Sequence, residues 1–399
     1  MPPRASPVVP PTVRGLALVS LFNDFASEMI YPLLPAFVAT TLGGGAVALG
    51  VLDGAADLTA AVVKWFSGRL ADRPGWRRPM ILLGYLSAVL VRPLISVAGA
   101  AWQVIGFRVI DRIGKGIRTP PRDALIAEVT PLEARGRAFG FHRGADHLGA
   151  VLGSLAAWAF LRAGTDVRQV IEWSLAPGLI AFVALWVVLR PGKVRLQPPA
   201  VGAAAAARTP QAEPPRDAVG RVFWIPVLAL AGLTLARLPE TLILLRLQDL
   251  GIPLLVIPVL WAALHVVRSG SSYPGGAFTD RIGSRWMVAG GGLLFAVVAA
   301  LLGLRLAPVV AGAVFLLFGV VAGLTESAER AMVARLSPRL TGRAFGAYHA
   351  LVGFAALPAG LLFGEVYDRL GGHSAFWLSA VAAVVGVAVW LGAYRGDRG

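Results

Sequence analysis

A chain of 399 residues that is 56% hydrophobic and only 15% charged has too few polar side chains to clothe a water-soluble body of this size, so it belongs in a lipid bilayer. The formal charge of +15 is dealt out loop by loop rather than gathered in one tract, which speaks for membrane topology and against a nucleic-acid surface. The absence of cysteine excludes disulfides, thiol catalysis and cysteine-held metal, and no strand-like alternation of the kind a membrane β-barrel needs is present.

Residues 1–13 are rich in proline and carry only Arg4, which predicts a short flexible tail and not a signal peptide. Apolar runs then predict helices over 14–40, 47–70, 79–99, 101–129, 138–162 and 170–190, and again over 222–247, 253–278, 286–306, 308–333, 343–367 and 375–395. A spanning helix needs roughly 20 apolar residues, so the expected fold is an all-α integral membrane protein with about 12 spans. Pro120 and Pro121 are expected to kink the fourth helix, because proline removes a backbone donor and crowds the preceding turn. The stretch 191–220, rich in Pro and Ala without apolar periodicity, reads as a linker between an N-terminal unit, 14–190, and a C-terminal unit, 221–399.

Arg69, Arg73, Arg77, Arg78, Arg135, Arg137, Arg190, Lys193, Arg195, Arg281, Arg285, Arg335, Arg339 and Arg343 fall in alternate connections. The intervening loops near Gly43, Gly99 and Gly251 are nearly free of Lys and Arg. By the positive-inside rule the basic loops, the linker and both termini are expected in the cytoplasm.

The two halves repeat each other. Gly68, Leu70, Ala71, Asp72, Arg73, Gly75 and Arg77 return about 208 residues later as Gly276, Phe278, Thr279, Asp280, Arg281, Gly283 and Arg285. Gly136-Arg137-Ala138-Phe139-Gly140 returns as Gly342-Arg343-Ala344-Phe345-Gly346 in nearly the same register. Two matches in one register point to a duplicated chain, the build of a secondary transporter around a central site. The loop pair resembles the G-x-L-x-D-R-x-G-R-R signature of the major facilitator superfamily. Arg108-x-x-Asp111-Arg112-x-Gly114 looks like that family's R-x-x-Q-G-x-G, with Asp and Arg in place of Gln and Gly. The runs 27–35 and 111–118 are similar to a large group of bacterial permeases.

The resemblance implies twelve helices in two pseudo-symmetric halves at the bacterial inner membrane, with the first, fourth, seventh and tenth helices around a central cavity. It also implies gating loops at Gly68, Asp72, Arg73, Gly276, Asp280 and Arg281; each Asp is expected at an inner helix end, where it can hold a neighbouring helix N-terminus, the alternative being that the loops only set topology through their arginines. Trp76 and Ser284 stand where the family usually has a basic residue, so the details of gating do not carry over. Gly140, Gly149 and Gly153 match the first part of the glycine pattern of an antiporter signature. Ser154 replaces its proline, and Ala157 and Trp158 its last glycines, so the inference to export is weak. Whatever the direction, glycines at this spacing let two helices approach closely.

An ionisable side chain within a span costs several kcal/mol by insertion scales and needs a partner, water or a purpose (about 2.5–3.5 kcal/mol at the centre). Asp24 and Glu28, spaced i,i+4 in the first helix, lie on one face and resist ionising together, as a proton carrier requires. The alternative is that both are structural ion-pair partners. Arg108, Arg112 and Lys115 share a stripe of the fourth helix, flanked by Asp111, Arg118 and Arg122, and such a stripe must face carboxylates or a wet cavity. Asp111 is placed to neutralise Lys115. Pairing of the remaining cations with Asp24, Glu28 and Glu326 is the favoured resting state over capture of an anionic group. Arg237, Glu240 and Arg246 in the seventh helix and Glu326 in the tenth join the candidate cavity, with Glu329 and Arg330 as interfacial anchors. Arg143 and Asp146 are expected to pair with each other or with Asp53, Asp57 and Lys64 of the second helix. His142 and His147 lack the i,i+4 spacing of a helical metal pair, so helix packing is the expected role, with proton relay open for His142 beside Asp146.

These features favour a secondary transporter of a small organic solute, proton-coupled, with export slightly preferred. The alternatives are a proton-coupled importer of an anionic or zwitterionic metabolite and a receptor-like membrane protein that transports nothing. No nucleophile triad, phosphate-cradling loop or metal-ligand spacing stands out, so no enzyme activity and no cofactor are expected. The expected partners are the solute, protons and lipid, for a monomer that binds no nucleic acid.

Overall fold

The computed structural model describes residues 9–71, 75–130, 135–190, 221–336 and 341–395. The linker 191–220 and the gating residues Asp72 and Arg73 lie outside the described residues, as do the surroundings of Gly140 and Gly276 and the side chains of Asp280 and Arg330. Among the described residues the fold is helices and turns throughout.

Helix α1, Pro11–Ile30, begins earlier than the expected position 14, with proline in its first turn, where a missing N–H costs nothing. Pro32 and Pro35 then supply no donors to the ladder. The chain continues as a 3-10 turn, Tyr31–Leu33, a single α-turn, Leu34–Ala36, and a π-turn, Phe37–Thr41. The first half continues with α2 (Gly45–Ala71), α3 (Arg77–Leu94), α4 (Ala101–Glu128) and α5 (Arg135–Arg162), and a short helix, Val167–Trp173, leads into α6 (Leu175–Val188). The fourth helix runs unbroken through Pro120 and Pro121.

In the second half α7 (Arg221–Leu235) stops and resumes as Glu240–Asp249, where one helix over 222–247 is expected. Pro239 caps the second piece and biases the residue before it away from helix, which explains the interruption. Then follow α8 (Ile257–Ile282), α9 (Ser284–Gly303) and α10 (Pro308–Leu336). The last stretch, Thr341–Ala393, is 53 residues long. At 1.5 Å per residue it would reach roughly 80 Å, against an apolar bilayer core of about 30 Å. It turns at Gly371, whose φ of 82° and ψ of 162° suit glycine, and so forms two helices, α11 (341–370) and α12 (372–393).

Nine described segments are long and apolar enough to cross a membrane, and one of them, 346–393, contains the turn at Gly371. α1 and α4 miss that measure because charges sit inside them, among them Asp24 and Glu28 in α1 and Arg108, Asp111, Arg112 and Lys115 in α4. The set is consistent with the twelve expected spans.

Within the first half, α5 lies on α1 with glycine at the contact. A Cβ on Gly149 would stand 2.2 Å from the Leu21 carbonyl oxygen, and one on Gly153 would stand 2.3 Å from that of Phe25. The halves meet along α2 and α11 and along α5 and α8. Their apolar cores are distributed unevenly. Toward the face remote from the chain termini, one core joins both halves, with Leu34, Phe37 and Leu49 packed with Leu242, Trp261 and Phe363. Toward the termini, Leu16, Tyr85 and Leu185 form a core of the first half alone, and Phe223, Met332 and Trp390 one of the second half alone. The halves are therefore joined at one end and parted at the other, although the seam of α2 and α11 continues to Trp65 and Gly346.

Candidate functional site

The parted halves enclose a cavity of about 630 Å³ at mid-depth. From the first half it receives Glu28 of α1, Tyr31 in the 3-10 turn that follows it, Asp53 and Asp57 of α2, Arg112 and Lys115 of α4, and Arg143 of α5. The second half adds Arg237 and Glu240 at the break in α7, Trp261, His265 and Arg268 of α8, and Phe318 and Glu326 of α10. Of the sequence candidates, Glu28, Arg112, Lys115, Arg143, Arg237, Glu240 and Glu326 thus come together. Asp24, Arg108, Asp111 and Arg118 do not line the cavity.

The ceiling of the cavity is built from bonds between the halves. Glu28 Oε2 accepts the indole N–H of Trp261 at 2.7 Å and lies 3.8 Å from His265 Nε2. Asp53 accepts the Tyr31 hydroxyl at 3.2 Å, the Thr241 backbone N–H at 3.1 Å and the Thr241 hydroxyl at 2.8 Å. Because Thr241 lies in the first turn of the resumed α7, Asp53 supplies from the other half the acceptor that this helix start needs. The interruption of α1 by proline turns Tyr31 toward the same point, where its ring lies 5.0 Å from that of Trp261. On the second-half wall Arg268 pairs with Glu240 and lies over Trp261 and Phe318, at 5.7 and 5.4 Å from the ring centroids.

Behind the cavity, the cationic stripe is organised differently from expectation. Asp111 is 1% exposed and serves as a hub for Arg92 of α3 at 3.0 Å, Arg112 at 3.8 Å and Arg108 at 3.9 Å. Arg92 is held in turn by the Asn23 carbonyl at 2.8 Å, and Arg108 lies over the Tyr31 ring at 5.3 Å. Arg118 donates to the Gly84 carbonyl at 2.7 Å. The expected pairing of this stripe with Asp24, Glu28 and Glu326 is thus replaced by pairing within α4 and with α3. A buried carboxylate one turn away on the same helix is the nearer counter-charge. Asp111 does not take Lys115, whose ammonium instead faces the cavity.

Other expectations resolve individually. Asp24 accepts a hydrogen bond from its neighbour Asn23 at 2.9 Å. Arg143 lies 3.9 Å from Asp146, and His142 Nδ1 lies 3.6 Å from the same carboxylate, so these three form a cluster on α5 without the second helix. Glu329, expected as an interfacial anchor, is turned inward, its side chain 12% exposed between Arg237 at 3.8 Å and the Tyr348 hydroxyl. Arg246 is buried away from the cavity and donates to the Leu302 and Leu304 carbonyls at 2.8 and 3.1 Å, tying off the end of α9. Of the gating residues, Gly68 lies in the last turn of α2 and Arg281 is exposed at the end of α8.

Sequence reasoning missed Tyr31, Trp261, His265 and Arg268, and it treated Asp53 and Asp57 only as partners for α5. Arg268 was discoverable, since it is a cation inside the predicted span 253–278. No signal marks Trp261, because an indole in an apolar run has the same pattern whether it meets lipid or a carboxylate.

Comparison with known proteins gives the same architecture a family. The chain is 26% identical over 378 residues to an uncharacterized MFS-type transporter of Methanocaldococcus jannaschii, covering 93% of this chain and 92% of that one. It is 29% identical over 158 residues, 40% of this chain and 38% of the other, to the multidrug resistance protein MdtH of Photorhabdus laumondii. Among solved structures, a bacterial homolog of the human lysosomal transporter Spinster, in an inward-facing and unoccupied conformation, superimposes with a TM-score of 0.68 at 18% identity. That match covers 96% of this chain and 94% of the other. The family model of the Major Facilitator Superfamily matches residues 16–325 and 247–398, and with duplicated halves closing on a shared charged cavity, this chain belongs to that superfamily of membrane transporters.

Proposed function

We propose that this protein moves a small organic solute across the bacterial inner membrane by alternating access coupled to protons, as a monomer with both termini and the basic loops in the cytoplasm. The observation that carries this reading is the bond from Trp261 to Glu28, which ties the second half to the first at the ceiling of a solute-sized cavity. As a carboxylate, Glu28 accepts a charge-assisted hydrogen bond and holds the halves together at that end. Protonation weakens the bond and shifts the population toward the state open on the other side. Glu28 is preferred to Asp24 as the carrier because it lies on the cavity and bridges the halves, whereas Asp24 bonds to its own neighbour. Arg112, Arg237 and Glu326 serve as further cavity residues. The loops at Asp72 and Asp280 would close the cytoplasmic side in the other state.

The partial likeness to a multidrug resistance protein supports export over import. The test is purified protein in liposomes with an imposed pH gradient and a mixture of metabolites and drugs outside. Gradient-dependent uptake of a solute class by mass spectrometry, in either gradient sense, is expected. Uptake that ignores the gradient would sink proton coupling, and no uptake of any class would sink transport.

A further inference from the structure

The partners of the cavity's charges leave two of them over. Among the described residues lining the cavity, Glu28 has Trp261, Asp53 has Thr241, Glu240 has Arg268, Arg237 has Glu329, Arg112 has Asp111 and Arg143 has Asp146. His265 stands beside Glu28, and Glu326 is engaged as well. Asp57 and Lys115 alone have neither a hydrogen bond to the side-chain charge nor an ion pair, and both are exposed to the cavity. They differ in sign. They also lie on adjoining helices. α2 and α4 touch at Gly116, where a Cβ would stand 2.7 Å from Val63, and Ser67 donates to the Gly116 carbonyl at 2.7 Å. Lys115 precedes that contact and Asp57 lies one to two turns along α2 from it.

The second half contributes to the same lining an aromatic wall, Trp261 and Phe318, 2% and 8% exposed, with Arg268 over both rings. A solute that satisfied both free charges would bring an ammonium to Asp57 and a carboxylate or other anionic group to Lys115, with its apolar body directed at the wall. A singly charged solute leaves one of the two groups without a direct ionic contact in a cavity that narrows as the halves close, and that group becomes costlier as water leaves. A solute reaching both walls also gives closure a contact that the empty cavity lacks.

We infer that the transported solute is an amphipathic zwitterion, held at its cationic end by Asp57, at its anionic end by Lys115 and along its body by Trp261 and Phe318. This deepens the transport reading and rests on it. The test is thermal stabilisation of the purified full-length protein by sets of solutes that share an aliphatic or aromatic body: amino acids and dipeptides with free ends, the same compounds acetylated at the amine, the same compounds amidated at the acid, and the doubly blocked forms. Stabilisation by free-ended compounds, lost when either end is blocked, is expected. Asp57→Asn should weaken binding about tenfold or more while the melting temperature of the empty protein stays close to that of the wild type, and Lys115→Gln should do the same, as one charge-assisted contact disappears in each. Stabilisation chiefly by singly charged or blocked compounds overturns the inference, as does stabilisation by none of the four sets. Neither result touches the transport reading, which falls only if liposome uptake of every solute class is absent.

Discussion

Asp368, near the end of α11 in the second half, accepts the backbone N–H of Ala46 at 2.7 Å in the first turn of α2, and its other oxygen accepts that of Val47 at 2.9 Å. A carboxylate from one half thus fills the two donors that open a helix of the other, where the positive end of the helix dipole adds to the attraction. The contact lies at the joined end of the molecule, and in the proposed alternating-access cycle it is expected to break when that end opens. Asp368→Ala removes two charge-assisted hydrogen bonds, each worth about 1.5–3 kcal/mol, and should shift the balance of states toward opening by tenfold or more. Spin labels at Thr41→Cys and Arg305→Cys, in a chain with no other cysteine, report the separation of the halves at that face. A distance distribution unchanged by Asp368→Ala would remove this latch from the mechanism.

The seam between α2 and α11 is set by two glycines facing each other. A Cβ on Gly50 would stand 1.9 Å from the Gly360 carbonyl oxygen, and one on Gly360 would stand 2.1 Å from that of Gly50. Backbone cannot yield as a flexible side chain can. Gly50→Ala should therefore cost about 1–3 kcal/mol as an overpacking change and lower the melting temperature in detergent. Gly290→Ala, at an exposed position of α9 with nothing within 4 Å, is the control and should leave it unchanged or slightly raised. Equal behaviour of the two variants would mean that the seam is loose in solution.

The sequence was most legible where a single physical rule acts alone. Apolar length located the spans, and the repeat at Gly68 and Gly276 revealed two halves. Ionisable residues inside predicted spans picked out Glu28, Arg112, Lys115 and Glu326 as cavity groups. It was least legible where a partner comes from a distant part of the chain. Nothing local to Asp53 says that its acceptors will serve Thr241, and nothing near Glu329 says that Arg237 will hold it away from the interface. The break in α7 follows from Pro239, but the apolar runs on either side, 223–236 and 241–245, hide it until the helix must actually form. Asp111 shows the same difficulty within one helix. Spacing put Lys115 and Arg108 within its reach, and packing against α3 chose Arg92 as its shortest ion pair.

That hub makes its own prediction. Among the described residues Asp111 is the only carboxylate within 4 Å of the Arg92, Arg108 and Arg112 guanidinium groups, and it is almost fully buried. Asp111→Asn keeps the shape and removes the counter-charge, leaving three guanidinium groups in low dielectric. Loss of about 3–5 kcal/mol is expected, seen as a collapse in the yield of monodisperse protein. Combining it with Arg92→Leu removes one of the stranded charges and should recover part of that yield. If the single variant is as stable as the wild type, the hub is not what holds α3 and α4 together.

The last prediction separates proton coupling from simple packing at the ceiling of the cavity. Glu28→Gln retains an oxygen that can accept the Trp261 N–H, so the geometry survives while the exchangeable proton is lost. Gradient-driven accumulation should fall to background, and exchange of solute across a liposome without a gradient should persist, because exchange needs the cavity to alternate but not to discharge a proton. Trp261→Phe makes the complementary change. It keeps the carboxylate and an aromatic wall but removes the donor, so Glu28 can still carry a proton while its charge no longer ties the halves. Coupled transport should then continue at a lower rate, with proton leak in the absence of solute, since protonation no longer has to release a bond. Proton movement is read by a pH-sensitive dye inside the liposomes and solute movement by mass spectrometry. Intact accumulation in Glu28→Gln would take the proton site elsewhere, and loss of exchange as well as accumulation would make Glu28 a ligand for the solute rather than a carrier.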